Sequence, residues 1–390
     1  MRILFTFAGG HGHFEPLVPV ARAAAAAGHT VAVAGRHEVV PAIQAAGFQA
    51  FPTGKPESGP PQRYPLLPID LEREDRDLRD GFADRLARAR AAELGELCAA
   101  WRPDLLVCDE IDFGAMVIAE RLGLPYASVL VIAAGSFVRA PLLSETLNRL
   151  RAEHGLAPDP ELAMLSRYLV LSPFPRSYRD PAFPLPDTAH LIRPPARGNA
   201  PEGAPAWAAR IPGAPVVYFT LGTVFNLESG DLFQRVLAGL GDLPINVIAT
   251  VGRQIDPAEL GPQPDNIQIE RYIAQAQLLP HCSAVVSHGG SGSVIGALAH
   301  GLPAVLIPMG ADQPLNAGRC VDLGVAQALD PVAATPASVR AAVQAVLGEP
   351  GYRRAAERLR DEIAAMPDPA TAIPLLERLA AERRPIETDQ

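Results

Sequence analysis

Ala284–Asn316 reads AVVSHGGSGSVIGALAHGLPAVLIPMGADQPLN. It opens with Ala284-Val285-Val286-Ser287, an apolar run of the length and composition of a buried parallel strand. The small-residue turn His288-Gly289-Gly290-Ser291-Gly292-Ser293 leads into an apolar-periodic segment that stops at Gly301, a suitable residue for the left-handed end of a helix. A second apolar run, Pro303–Ile307, enters Pro308 and the polar cluster Asp312-Gln313-Pro314-Leu315-Asn316. Strand, glycine-rich turn, helix and strand in this order aim backbone N–H groups and a helix N-terminus at one spot, an arrangement suited to phosphate. A single exposed helix-end charge interaction contributes only about 0.3–1 kcal/mol, so several amides must act together.

The rest of the chain repeats the pattern. Arg2–Ala8 reads as a buried strand, followed by the loop Gly9-Gly10-His11-Gly12-His13-Phe14-Glu15-Pro16. Pro16 and Pro19 suit a helix's first turn, where a missing N–H costs nothing. Strands at Thr30–Ala34 and Phe48–Phe51 then alternate with helices ending at Gly28 and Gly47, the opening of a doubly wound α/β sheet. Thr53–Asp80 is proline-rich with a charged run at Glu72–Asp80, and reads as an irregular insertion, either a mobile lid or a loop that shapes a substrate site. Helical spacing returns over Phe82–Trp101, strands follow at Leu105–Cys108 and Tyr126–Ile132, and Leu142–Gly155 is amphipathic. Between Arg193 and Pro215 the composition turns to Pro, Gly and Ala, as in a linker. A second strand-first pattern starts at Val216–Leu221 with the turn Gly222-Thr223. The expected organisation is an N-terminal domain over 1–200, a linker over 201–214, a C-terminal domain over 215–365, and a final segment, 366–390, packing back on the first domain.

Composition removes several classes of function. A chain of 390 residues with 48% hydrophobic and 20% charged content has ample core for two globular domains. Its net charge of −9 offers no basic excess to meet nucleic-acid phosphates. Cys98, Cys108, Cys282 and Cys320 are widely spaced and read as reduced core residues. No run approaches the roughly 18 apolar residues of a membrane span, and Met1–Ala8 is too short and polar-flanked for a secretory signal, so the expected address is the cytoplasm.

In open α/β sheets ligands bind beyond the carboxyl ends of the strands. His13 follows the first strand and Asp109 follows Leu105–Cys108. A histidine titrates near neutral pH and can take a proton, while a carboxylate on its other nitrogen fixes the tautomer and stabilises the imidazolium. His11 competes for the same role, and a loop histidine bonded to backbone, with Asp109 as a helix cap or a turn residue, is the plainer alternative.

These residues resemble the UDP-glycosyltransferase superfamily. Gly12-His13-Phe14-Glu15-Pro16 is similar to its G-H-x-x-P motif, and His288-Gly289-Gly290-Ser291-Gly292-Ser293 with Pro308, Asp312, Gln313 and Asn316 resembles its donor signature. The resemblance runs from Met1 to about Ala381 and lies nearest to actinobacterial enzymes that glycosylate antibiotics and other natural products. It implies the GT-B fold, two Rossmann-like domains facing across a cleft, with the acceptor on the N-terminal half and the nucleotide sugar on the C-terminal half. It further implies an inverting, metal-independent transfer with no cofactor beyond a TDP- or UDP-sugar co-substrate. His13 would be the catalytic base and Asp109 its partner. Gly12, Thr223, His288, Gly289, Gly290, Ser291, Gly292 and Ser293 would lie at the donor, with the pyrophosphate held by His288 and the three residues Ser291–Ser293 and aided by Thr223. Asp312 and Gln313 would bond the sugar. Arg271-Tyr272-Ile273-Ala274-Gln275 stands where the family carries W-x-P-Q, so Tyr272, Ile273 and Gln275 would meet the base.

The implied acceptor is a bulky apolar natural product, received by Thr53–Asp80, Ala133–Pro141 and Leu142–Gly155, and the implied assembly is a monomer or homodimer. Two other functions compete with this one. Gly10-His11-Gly12-His13-Phe14-Glu15 nearly spells the dinucleotide fingerprint of a nicotinamide-dependent oxidoreductase, but Glu15 replaces its third glycine. A non-catalytic binding protein of the same fold is the other, against which His13 and Asp109 both speak.

Overall fold

The computed structural model describes residues 1–56, 59, 62–194 and 211–388. The chain divides into two compact units, one of Met1–Ser58, Leu71–Pro195 and Ala365–Gln390, the other of Gly59–Asp70 and Ala196–Ala364. The expected linker 201–214 lies outside the described residues except for its last four positions.

The first unit is built on a seven-stranded sheet. In chain order its strands are β1 (Arg2–Thr6), β2 (Thr30–Arg36), β3 (Gln49–Thr53), β4 (Leu105–Asp109), β5 (Tyr126–Val129), β6 (Leu169–Ser172) and β7 (Ala189–Leu191). The spatial order is β3-β2-β1-β4-β5-β6-β7 and every pairing is parallel. The chain winds outward from β1 to one edge, then returns past it to build the other, so the topological switch point lies between β1 and β4.

The second unit carries a six-stranded parallel sheet: β8 (Val216–Thr220), β9 (Asn246–Thr250), β10 (Ile267–Glu270), β11 (Ala284–Ser287), β12 (Ala304–Leu306) and β13 (Ala326–Ala328). Its order, β10-β9-β8-β11-β12-β13, places the switch point between β8 and β11. Alternate residues of one strand feed separate cores. Val217 and Phe219 pack with Leu232, Val236 and Val339 on one face, while Val216 and Tyr218 pack with Leu278, Ala297 and Leu302 on the other. Both faces are covered, which is why these strands read as unbroken apolar runs.

Several expectations are corrected. Residues Gly59–Asp70 group with the second unit rather than with the N-terminal half: Leu66 packs on the second core, and the Tyr64 amide donates to Leu227 O at 2.9 Å. The charged run at Glu72–Asp80 is not irregular. It is helical from Leu71, passes through a π-helical segment at Asp77–Leu86 and continues as the helix Ala87–Trp101. Burying Leu78 and Ala83 on this one face stabilises it despite its charge. The β5 strand ends at Val129, three residues before Ile132, because Leu130 onward turns into a loop held by side chains. The short edge strand β13 carries no long apolar run, so the sequence pattern does not mark it. The C-terminal helix Ala372–Glu382 places Ala372, Leu376 and Leu379 in the core of the first unit.

Candidate active site

At the first switch point, Asp109 is the last residue of β4 and its side chain is fully buried. One carboxylate oxygen, Oδ2, accepts from the Ala8 amide at 3.1 Å and lies 2.8 Å from His13 Nδ1; the other accepts from the Ile111 amide at 2.9 Å. His13 sits in the short helix His11–Phe14 just past β1, with about a quarter of its side chain exposed. The imidazole lies against Gly9, where a Cβ would fall 2.1 Å from His13 Cδ2. Only glycine there lets the ring reach the carboxylate. His11, the competitor, is exposed, and the ion pair belongs to His13.

A second buried ion pair lies beside the first. Arg90 Nη2 meets Asp112 at 2.5 Å, Arg90 Nη1 donates to Thr53 Oγ1 at 2.5 Å, and Thr6 Oγ1 donates to Asp112 at 2.7 Å. Asp112 also caps the helix Phe113–Leu122 by accepting from the Ala115 amide. Between the two aspartates, Glu110 accepts from the Val131 and Ile132 amides, each at 2.5 Å, and fixes the loop after β5. Burial pushes its carboxyl up to about 7, opposed by Arg179 and by these two amides. The sequence alone singles out none of Gly9, Arg90 and Glu110. An Arg in a helical run and a Glu after an Asp carry no local signal of burial.

At the second switch point Gly290 caps the helix Ser291–Leu298, its carbonyl accepting from the Ser293 amide at 2.9 Å and the Val294 amide at 3.0 Å. Gly289 takes φ +83, a conformation cheap for glycine alone. The His288 ring fills the space between two glycines: a Cβ on Gly222 would lie 2.6 Å from its Nε2, and one on Gly290 2.5 Å. Burial pushes His288 down to about 4, partly offset by the Thr220 carbonyl, so the ring is neutral at physiological pH. Its Nδ1 is buried and has no hydrogen-bond partner among the described residues.

The polar loop after β12 folds onto this turn. Ser291 Oγ donates to Asp312 Oδ2 at 2.6 Å, and Asn316 Nδ2 donates to Asp312 at 2.7 Å, Gly289 O at 3.0 Å and Ser291 Oγ at 3.1 Å. Asn316, fully buried, thus ties the two halves of the signature together. Ala311 adopts φ +52, a left-handed turn unusual for a residue with a Cβ, immediately before Asp312. The Gln313 side chain is buried, and its Oε1 accepts from the Met309 amide at 2.9 Å. Gln275 Nε2 reaches Ser293 Oγ at 3.4 Å, which links the Arg271–Gln275 stretch to the turn.

The remaining candidates fall in different places. Thr223 is exposed after β8, Gly292 is exposed in the first helical turn, and Gly12 is exposed in the first unit. Ile273 points inward and packs with Cys282 against the core of the second unit. Tyr272 is half exposed, with the Arg253 guanidinium 4.3 Å above its ring. A D-x-D triplet occurs at Asp75-Arg76-Asp77, but it lies within the helical segment of the first unit, where Asp75 pairs with Arg139. Among the described residues no cluster of three or more His, Cys, Asp or Glu side chains is arranged to hold a metal ion. No helix among them is long and apolar enough to cross a membrane.

Two parallel sheets, each with its candidate residues at the switch point, define a GT-B glycosyltransferase architecture. Residues 234–379 match the family described as Erythromycin biosynthesis protein CIII-like, C-terminal domain. The chain is 30% identical to tylactone mycaminosyltransferase of Streptomyces fradiae over 98% of its own length and 93% of that protein's. It is 31% identical to L-demethylnoviosyl transferase of Streptomyces niveus, over 98% and 99%. The solved structure of spinosyn rhamnosyltransferase SpnG complexed with thymidine diphosphate superposes with a TM-score of 0.77 at 26% identity, covering 97% of this chain and all of that one. The chain belongs to the natural-product glycosyltransferases of the GT-B fold and is a glycosyltransferase. The oxidoreductase and non-catalytic alternatives are thereby set aside.

Proposed function

We propose that this enzyme transfers a deoxysugar from a TDP- or UDP-linked donor to a hydroxyl of a bulky apolar natural product, with inversion at the anomeric carbon and without a metal ion. The observation that carries the reading is the His13–Asp109 contact of 2.8 Å at the carboxyl end of the first sheet. Asp109 on Nδ1 would stabilise the imidazolium that forms when the ring's other nitrogen, Nε2, takes the acceptor's proton. The acceptor oxygen bonds to the anomeric carbon as the bond from that carbon to the diphosphate oxygen breaks. The nucleoside diphosphate leaves with the electron pair.

The amides that open the helix Ser291–Leu298, together with a neutral His288, would meet the charge growing on that leaving group. Because these donors are fixed before reaction, no divalent ion is required for the task. Asp312, already bonded to Ser291 and Asn316, stands beside them to take a sugar hydroxyl. Among TDP and UDP, TDP is favoured by the SpnG complex with thymidine diphosphate, and the apolar acceptor class by the tylactone and aglycone named for related enzymes.

The test is a transfer assay with TDP- and UDP-sugars against a panel of macrolactone and aromatic aglycones, with and without EDTA. Turnover that survives EDTA and gives an inverted anomeric centre by NMR is expected. A strict metal requirement, or retention, would contradict the scheme.

A further inference from the structure

Beyond the carboxyl ends of β9 and β10 the parallel pairing continues for two more residues. The Val251 amide donates to Glu270 O at 3.0 Å and the Gly252 amide to Arg271 O at 2.9 Å. Gly252 then turns at φ +90 against the buried Asn226, whose Nδ2 would lie 2.2 Å from any Cβ and donates to Val251 O at 2.9 Å. This turn delivers Arg253 to Tyr272, with its guanidinium carbon 4.3 Å from the ring centroid. The neighbouring cation is compensated differently: Arg271 pairs with Asp256 at 2.6 Å. Arg253 has no carboxylate partner among the described residues.

An uncompensated guanidinium placed over the ring of a tyrosine that is 52% exposed, at the ligand end of a doubly wound sheet, is an incomplete stack. We propose that Arg253 is a positioning residue for the nucleobase. It covers one face of Tyr272, holds the ring in a single orientation and leaves the opposite face for a pyrimidine. The proposal rests on the nucleotide-sugar reading given above. It also explains how a tyrosine can serve as a stacking platform at the chain's surface. A lone exposed ring must be ordered by its ligand, whereas a ring already stacked on a cation meets the base preorganised.

Isothermal titration of the full chain with TDP, and displacement of TDP by inorganic pyrophosphate, tests this in wild type, Arg253→Ala, Arg253→Lys, Tyr272→Ala and the Arg253→Ala/Tyr272→Ala double variant. Expected are a rise of about three- to tenfold in the Kd for TDP in Arg253→Ala, the size of one side chain's ordering cost, with partial recovery in Arg253→Lys. Pyrophosphate, which has no base, should bind as in wild type. In the Tyr272→Ala background, loss of Arg253 should add nothing. An unchanged Kd, equal weakening of TDP and pyrophosphate, or additive effects in the double variant would overturn the role. Wild type that binds neither TDP nor UDP would bring down the nucleotide-sugar reading as well, whereas wild type that binds the nucleotide with an unaffected Arg253→Ala removes Arg253 alone.

Discussion

The two switch points are the same feature of the same fold, yet they are finished in opposite ways. In the first unit, a buried carboxylate is satisfied by two backbone amides and an imidazole, with a second buried ion pair alongside. In the second, glycines replace side chains around the N-terminus of the helix Ser291–Leu298, and the buried His288 Nδ1 has no hydrogen-bond partner among the described residues. A saturated site holds one side chain in one tautomer, as proton transfer requires. An unsaturated site waits for an anion to complete it, as binding a diphosphate requires. The contrast lies in what each turn leaves unpaired, and each prediction below probes one side of it.

The largest effect is expected at the saturated site. His13→Ala should lower transfer by about 10²–10⁴-fold, the usual worth of a positioned base, while TDP affinity measured by titration stays near wild type. Parallel loss of TDP binding would erase the division of labour between the two sites.

The pH dependence of stability separates them next. Glu110 is raised in the folded state from 4.5 to about 7, so the native state holds more protons than the unfolded one across that window, and stability falls as pH rises through it. His288 is depressed from 6.5 to about 4, so the unfolded state holds more protons, and stability is lost as pH falls from 6.5 towards 4. Each shift corresponds to about 3 kcal/mol across its full window. Denaturant titrations from pH 4 to 7.5 should therefore show Glu110→Gln removing a falling slope and a His288→Gln variant removing a rising one. Slopes of the same sign in both would show that the burial of one group has been misjudged.

A smaller effect is expected in binding. His288→Ala removes a neutral hydrogen-bonding group from beside a charged ligand, a change worth about 1.5–3 kcal/mol, so the Kd for TDP should rise by roughly ten- to a hundredfold. Unchanged affinity would place the ring outside the donor site and leave its unpartnered Nδ1 unexplained.

Much of this was legible in the chain. Apolar runs of strand length mark nearly every parallel strand, because a strand covered on both faces has no polar side to confuse the pattern. His13, Asp109 and the glycines around His288 stand at strand ends, and strand ends are where such sheets bind ligands. Other features escaped. The helix from Leu71 is hidden by charge, since its few buried residues are spaced by a π-helical turn rather than by the usual period. The Gly59–Asp70 segment gives no sign of leaving its sequence neighbours to pack on the second unit.

By itself the sequence determined the two doubly wound units and the residue types at their switch points, because local apolar periodicity and glycine placement are properties of neighbouring residues. Only the tertiary structure decided which histidine faces Asp109, that Gly9 makes room for it, that Asn316 ties the glycine turn to the loop after β12, and that Arg253 lies over Tyr272. Those contacts join residues far apart along the chain or across a turn. Their geometry is set by sheet register and packing, which leave no trace in the spacing of residues along the chain.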